Sequence, residues 1–462
     1  LLIAHNLGVV RRICDRVGVM YAGRIVEEGP AAEVFDNPQH PYTVGLLRCL
    51  PRRGASKSER RLDTIPGSLP LIGTELPACV FQDRCALATA ECSTVEPPAT
   101  HPAPGRTVMC HHVDQVGSLV AAPIQAPTAP NEVGEVVLRL EGVSKTFKQG
   151  NHEVRALVDV DLDLRAGETL GLVGESGSGK TTLAKAILGI HAPDQGAVVE
   201  LDGEALAGLT TKRDDDARRA IQIIFQNPDS ALNRSKTVRA ILERALQKLA
   251  GIRGEKADER LTSLTEEVRL SPRHLDLRPR ALSGGLKQRV AIAGAFAGGP
   301  RIVVCDEPTS ALDVSVQAAI LNLLGDLQRD EHTSYIVISH DLGVVRYLSD
   351  RIAVLYLGRL MELGPAEVVF SGPHHPYTEA LLSAVPSVDG DPAERIRLSG
   401  ELPSAIDLPS GCVFHTRCPR AIEGTCAASE PPLVEVEPGH MMRCHIPVDE
   451  LRRLQRGDVA AG

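Results

Sequence analysis

The segment that most restricts the fold lies between Thr169 and Leu188. Thr169-Leu170-Gly171-Leu172-Val173 is a short apolar run, followed by Gly174-Glu175-Ser176-Gly177-Ser178-Gly179-Lys180-Thr181-Thr182 and then by the helical pattern Leu183-Ala184-Lys185-Ala186-Ile187-Leu188. Buried strand, glycine loop and helix, in that order, make a phosphate-binding unit of an α/β sheet. The glycines let successive backbone N–H groups converge on phosphate oxygens, and the helix N-terminus adds partial positive charge. Lys180 is placed to reach the β- and γ-phosphates of a nucleotide, and the Thr181 hydroxyl to ligate Mg²⁺.

The flanks agree with this reading. Val136–Ser144 and Val158–Leu164 alternate apolar and polar residues, as half-buried strands do. Downstream, Arg301-Ile302-Val303-Val304-Cys305-Asp306-Glu307 reads as a buried strand ending in two carboxylates, at the sheet edge where open α/β sheets collect ligands. Asp306 suits Mg²⁺, and Glu307 suits the orientation of an attacking water, which in-line phosphoryl transfer requires.

The chain also repeats itself. Ala4-His5-Asn6-Leu7-Gly8-Val9-Val10 is echoed by Ser339-His340-Asp341-Leu342-Gly343-Val344-Val345, an offset of 335 residues, and His40-Pro41-Tyr42-Thr43 by His375-Pro376-Tyr377-Thr378. Solenoid repeats run to roughly 20–50 residues, so this spacing signifies domain duplication. The second copy starts near residue 136. The first holds only the stretch downstream of the counterpart of His340, and the chain opens on Leu1 with neither an initiator Met nor a signal-peptide pattern. The expectation is a first copy truncated at its N-terminus. The Ala- and Pro-rich join around residues 119–135 reads as a linker.

Composition removes several classes. No stretch approaches the ~20 apolar residues of a membrane-spanning helix. With 50 Lys and Arg against 59 Asp and Glu, a net charge of −9, 3% aromatics and no Trp, the bulk chemistry disfavours nucleic acid.

Around the phosphate loop, Leu282-Ser283-Gly284-Gly285-Leu286-Lys287-Gln288-Arg289 resembles the signature motif of ATP-binding cassette (ABC) ATPases. The Gln226 loop (Ile224-Phe225-Gln226-Asn227-Pro228), the loop Ser310-Ala311-Leu312-Asp313, the switch residue His340 and an aromatic at Phe147 fall in that family's order. The resemblance implies an α/β phosphate-loop nucleotide-binding domain with an antiparallel β subdomain and a helical subdomain. It implies ATP and Mg²⁺ as ligands, with Phe147 stacking on adenine, Gln226 sensing Mg²⁺ and water, His340 contacting the γ-phosphate and Glu307 catalytic. It also implies that Ser283, Gly284 and Gly285 serve a nucleotide on a second, opposed cassette. Leu286 departs from the family, whose signature usually has Gln there, and cannot hydrogen-bond a ribose.

After each switch histidine come a Gly-Pro, the His-Pro-Tyr-Thr run and a cysteine set: Cys79, Cys85, Cys92 and Cys110, then Cys412, Cys418, Cys426 and Cys444. This tail resembles that of oligopeptide/dipeptide importer ATPases. The resemblance implies two transmembrane permease subunits, an extracytoplasmic solute-binding protein and peripheral attachment at the cytoplasmic face of the membrane. Four thiols in a compact segment favour a metal centre; the spacing suits iron–sulfur better than zinc knuckles, with free thiols or disulfides as the alternative. Some members of the resembled subfamily carry a [4Fe-4S] cluster in this tail. His111 and His445, next to the last cysteines, read as surface or supporting groups, and Cys14, Cys49 and Cys305 as buried apolar residues.

The expected division is 1–50 (remnant of a first nucleotide-binding domain), 51–118 (first extension), 119–135 (linker), 136–385 (complete cassette) and 386–462 (second extension). Two rival functions accompany the importer ATPase. One is an ATP-binding remnant that does not hydrolyse, since the chain has one phosphate loop and one signature loop. The other is a DNA-acting cassette ATPase, disfavoured because both cysteine sets follow the switch histidine.

Overall fold

The computed structural model describes the chain except for residues 5, 52–54, 68, 71–72, 74, 120–132, 311, 385–395 and 457–462. His5 of the repeat, most of the expected linker and Ala311 therefore lie outside the described residues. The chain forms two compact units, one of Leu1–Thr128, Leu312–Asn322 and Pro386–Pro392, the other of Ala129–Ala311, Leu323–Val385 and Ala393–Gly462.

The larger unit is built on an eight-stranded sheet in the order Ile221–Ile224, Ile302–Asp306, Ser334–Ile338, Thr169–Val173, Arg351–Tyr356, Arg359–Pro365, His440–Met442, Val434–Glu437. The first five strands run parallel and the last three add antiparallel. Every residue of Thr169–Val173 and of Ser334–Ile338 is buried, as expected of parallel strands covered on both faces. Leu170 and Leu172 pack in one core with Leu183, Ala184 and Ile187 of the helix Lys180–Ile187. Gly171 faces the helix Leu342–Leu348; a Cβ there would stand 2.5 Å from both Val345 Cγ1 and Ser349 Oγ, so only glycine allows this approach.

A second, antiparallel sheet runs His152–Arg165, Val136–Gln149, Val198–Leu201, Glu204–Ala205. Its two long strands exceed the expected 136–144 and 158–164. Their polar ends continue to pair, Lys148 with Glu153 and Gln149 with His152, around a turn begun by Gly150 at φ +61°. Polar pairs on a solvent-facing hairpin leave no apolar periodicity to read. The helices Val238–Ala245, Glu255–Glu267 and Gly284–Phe296 form the helical part, burying Val238, Leu242, Leu261, Leu264 and Val290.

The second cysteine extension continues this fold. Its strand His440–Met442 pairs with Arg359–Pro365, matching Glu362 to Met442 and Leu363 to Met441.

In the smaller unit the sheet runs Arg16–Tyr21, Arg24–Pro30, Thr107–Met109, Ala99–Thr100, the same order as the last four strands of the larger sheet. Both units close the leading hairpin with a two-residue turn of positive φ: Ala22 (+45°) and Gly23 (+82°), then Leu357 (+46°) and Gly358 (+78°). That geometry matches the right-handed twist of paired strands. Among the described residues no helix is long and apolar enough to cross a membrane.

Candidate functional site

The phosphate loop leaves strand Thr169–Val173 at Gly174, whose φ is +148° and whose added Cβ would stand 2.2 Å from the Leu355 carbonyl oxygen. It enters the helix at Gly179, φ +105°, where a Cβ would lie 2.7 Å from the Ala156 oxygen. The loop is braced from behind, because Gly358 N donates to the Ser178 carbonyl at 2.9 Å. Ser178 is buried, whereas Ser176, Gly177 and Thr181 are not, and Thr182 is partly open to solvent. Lys180 Nζ donates to the carbonyls of Gly174 (2.7 Å) and Glu175 (2.9 Å) and to Ser178 Oγ (3.2 Å). Its pKa is lowered by burial, against the opposing pull of Glu307, Asp306 and Glu175.

Three side chains distant in sequence meet beside this loop. Gln226 Nε2 donates to Glu307 Oε2 at 2.6 Å, and His340 Nδ1 lies 3.2 Å from Glu307 Oε1. Each stands just past a parallel strand: Gln226 after Ile221–Ile224, Glu307 after Ile302–Asp306, His340 after Ser334–Ile338. Glu307 is itself in the left-handed region, φ +49°, an uncommon conformation for a residue with a side chain and one that concentrates at functional sites. Its backbone N donates to the Ile338 carbonyl at 2.8 Å.

Asp306 has its pKa raised by burial and by the neighbouring Glu307 charge, with Lys185 and Lys180 pulling the other way. The Asp306 carboxylate, the Thr181 hydroxyl and the Gln226 amide oxygen are hard oxygen donors of the kind Mg²⁺ takes.

Phe147 is half-exposed on the antiparallel sheet, edge-on to His191 (centroids 5.2 Å apart), with Lys145 Nζ 5.4 Å from its ring centroid. Ser283 caps the helix Gly284–Phe296, its side chain accepting from Leu286 N at 3.4 Å. Ser283, Gly284 and Gly285 all keep some solvent exposure, so that helix N-terminus faces outward.

The cysteine sets do not form the expected metal centre. Among the described residues no three of His, Cys, Asp and Glu form a group that could hold a metal ion, and all eleven cysteines are free. Cys79, Cys85, Cys92 and Cys110, like Cys412, Cys418, Cys426 and Cys444, are instead knitted into the backbone. Cys79 N donates to the Cys92 carbonyl (2.9 Å) and Cys412 N to that of Cys426 (2.8 Å). The sulfurs of Cys85, Cys110 and Cys426 accept from Leu87, His112 and Ile422 backbone N–H groups at 3.3–3.4 Å. Burial raises the Cys85 and Cys418 thiols to about 11 and Cys444 to about 12. The iron–sulfur expectation finds no support among the described residues. His111 and His445 contact the carbonyls of Val95 and Ser429 at 3.0 and 2.9 Å. His112, which sequence spacing does not single out, is the histidine beside a cysteine, 3.6 Å from Cys92 Sγ. Cys49 and Cys305 are buried as expected, whereas Cys14 is only half-buried.

Sequence reasoning also missed two groups on the loop. Tyr377 Oη accepts from Glu175 N at 2.7 Å, and Arg417 makes a two-pronged ion pair with the Glu175 carboxylate. The one available signal was the recurrence of His-Pro-Tyr-Thr.

Comparison with known proteins places this chain in a family. The model "ABC transporter" matches residues 157–310, and "Oligopeptide/dipeptide transporter, C-terminal region" matches twice, at 26–92 and 361–426. The chain is 40% identical over 408 residues to the oligopeptide transport ATP-binding protein OppD of Mycobacterium tuberculosis, covering 86% of this chain and 66% of that protein. It is 38% identical over 417 residues to the glutathione import ATP-binding protein GsiA of Escherichia coli O157:H7, covering 88% of this chain and 59% of that protein. It thus spans less than two thirds of the length of either. A "Putative peptide import ATP-binding protein" of Brucella ovis is 44% identical over 311 residues, 67% of this chain and 97% of that one. Among solved structures it is similar to cbiO1 of Clostridium perfringens, at a TM-score of 0.47 and 26% identity over 51% of this chain and 91% of that one. The chain belongs to the ABC transporter family, in the branch that carries the oligopeptide/dipeptide transporter C-terminal region.

Proposed function

We propose that this chain binds and hydrolyses ATP to drive uptake of small peptides through separate membrane-spanning subunits. The observation that carries the reading is the meeting of Gln226 and His340 on the Glu307 carboxylate, at 2.6 and 3.2 Å, next to the phosphate loop. Loop amides from Gly174 to Thr182, with Lys180, bind the triphosphate, and Phe147 stacks on adenine. Thr181, Asp306 and Gln226 would hold Mg²⁺, which would supply positive charge to offset that of the phosphates. Glu307 accepts a hydrogen bond from the attacking water and aligns it with the γ-phosphorus. As the new P–O bond forms, the water gives a proton to the Glu307 carboxylate, the bond to the β–γ bridging oxygen breaks, the proton passes on to the departing phosphate, and ADP and phosphate leave. His340 donates to the γ-phosphate and steadies Glu307.

Ser283, Gly284 and Gly285 present their helix N-terminus to the γ-phosphate of a second cassette, so the working unit is a pair. That partner is a second copy or a fused cassette; the shared strand order of the two units supports tandem duplication. The peptide assignment rests on the tail match and the names of the relatives. Two permease subunits, an extracytoplasmic binding protein and attachment at the inner membrane face complete the assembly. The test is ATP hydrolysis by purified protein, measured with and without Glu307→Gln. Hydrolysis that the substitution abolishes supports the reading, and binding of ATP without turnover by the unaltered chain supports the remnant.

A further inference from the structure

The phosphate loop is gripped by a part of the chain that its motif does not include. Arg417 Nη1 donates to Glu175 Oε2 at 2.6 Å and Nη2 to Oε1 at 3.2 Å, while Tyr377 Oη accepts from Glu175 N at 2.7 Å. The guanidinium side is the more enclosed, the side chains being 10% exposed for Arg417 and 30% for Glu175. Beneath the pair, the rings of Tyr356, Tyr377 and Phe414 pack with centroids 4.7–5.2 Å apart. The same extension follows the loop further: Leu402 Cδ2 lies 3.7 Å from where a Gly177 Cβ would be, and the Ala405 carbonyl accepts from Arg155 N at 3.0 Å.

Glu175 is a carboxylate in a loop built to receive polyphosphate. Free, it would repel the ligand and could swing across the loop; held in a two-pronged pair, it is neutralised and turned aside. The repeat provides a contrast. Arg84, the counterpart of Arg417, donates instead to the carbonyls of Pro66 (2.7 Å) and Ile65 (3.2 Å) within its own unit. An arginine at this place in the extension therefore does not depend on a glutamate partner.

We infer that Arg417 is a positioning residue for ATP, and that the cysteine-bearing extension sets nucleotide affinity by neutralising and orienting Glu175. The inference rests on the reading of this loop as the ATP site. The test is titration of the full chain with a fluorescent ATP analogue and Mg²⁺, together with steady-state hydrolysis. Arg417→Ala is expected to weaken binding and raise KM about tenfold with kcat within about twofold, which corresponds to ~1.4 kcal/mol. Adding Glu175→Gln to Arg417→Ala is expected to restore affinity to within about threefold of the unaltered chain, because the uncompensated carboxylate is gone. Loss of a merely structural arginine would not be rescued by a change in the loop. Unchanged affinity in Arg417→Ala, or no rescue in the double variant, overturns the inference. If Arg417→Ala does not fold, Arg417→Lys takes its place, expected at about threefold weaker binding; unaltered affinity there overturns the inference as well. Failure of the unaltered chain to bind ATP would instead sink the functional reading.

Discussion

His440 Nε2 donates to Glu362 Oε1 at 2.7 Å with both side chains fully buried, and the second oxygen of that carboxylate accepts from His375 N at 3.0 Å. The smaller unit repeats the device with other chemistry: Arg106 Nη2 lies 2.6 Å from Glu27 Oε1, and Glu27 accepts from Gln39 N and His40 N. In each unit one glutamate on a strand ties the extension to the His-Pro-Tyr-Thr helix. Glu362→Ala leaves a buried ring nitrogen and a backbone N–H unpaired. It is expected to cost about 3 kcal/mol, read by urea unfolding followed by circular dichroism. A loss below about 0.5 kcal/mol would show that the carboxylate is not the tie.

His375 caps the helix Pro376–Ser383 through Nδ1, which accepts from Tyr377 N at 3.1 Å. Burial lowers its pKa to about 4, although Glu362 and a hydrogen bond with the Arg443 backbone pull upward; His40 in the other unit is likewise lowered to about 4 by burial. A histidine held neutral in the fold and charging near 6.5 in the unfolded chain makes the unfolded state bind more protons between those values. Stability is therefore full above about pH 6.5 and falls as pH drops toward 4. His375→Asn keeps a capping acceptor and removes the titration, so it should flatten the acid slope between pH 6.5 and 4 by on the order of 3 kcal/mol. Unfolding curves across that range give the answer, and an unchanged slope would contradict it.

Gly171 stands where strand Thr169–Val173 meets the helix that follows His340. Gly171→Ala drives a methyl against Val345 and Ser349, each 2.5 Å from the added atom. Overpacking of this kind costs roughly 1–3 kcal/mol. The helix is expected to shift and take His340 with it, so hydrolysis should fall together with the melting temperature. An intact rate in a destabilised variant would separate packing from catalysis.

Ser283→Ala removes the acceptor for Leu286 N and is expected to cost about 1 kcal/mol of stability. In a cassette pair it also removes a donor to the opposed γ-phosphate, so hydrolysis should fall by more than about tenfold while ATP binding at the phosphate loop stays intact. A stability loss without a rate loss would remove this serine from the reaction.

Much of the site is legible in the sequence because its parts are short and local. Strand Thr169–Val173 is a short, mostly apolar run, and glycine, lysine and threonine follow in the order that cradles phosphate. That Gln226, Glu307 and His340 meet is also legible, since each follows an apolar strand and parallel strands deliver such residues to one edge. The grip of Arg417 on Glu175 is not, because 242 residues separate them and an arginine in a turn carries no mark of where that turn docks. The addition of His440–Met442 to the main sheet is hidden too, because three residues are too few to show a period. The cysteine spacing records only distance along the chain, and so does not show that the sulfurs of Cys85, Cys110 and Cys426 accept from backbone N–H groups.

The decisive measurement is ATP turnover by the purified chain with and without Glu307→Gln, with nucleotide binding followed in parallel. If Glu307 aligns the attacking water, turnover falls by at least about a hundredfold while ATP still binds. Turnover within a few-fold of the unaltered chain would show that hydrolysis, if present, does not run through Glu307, and would contradict the mechanism.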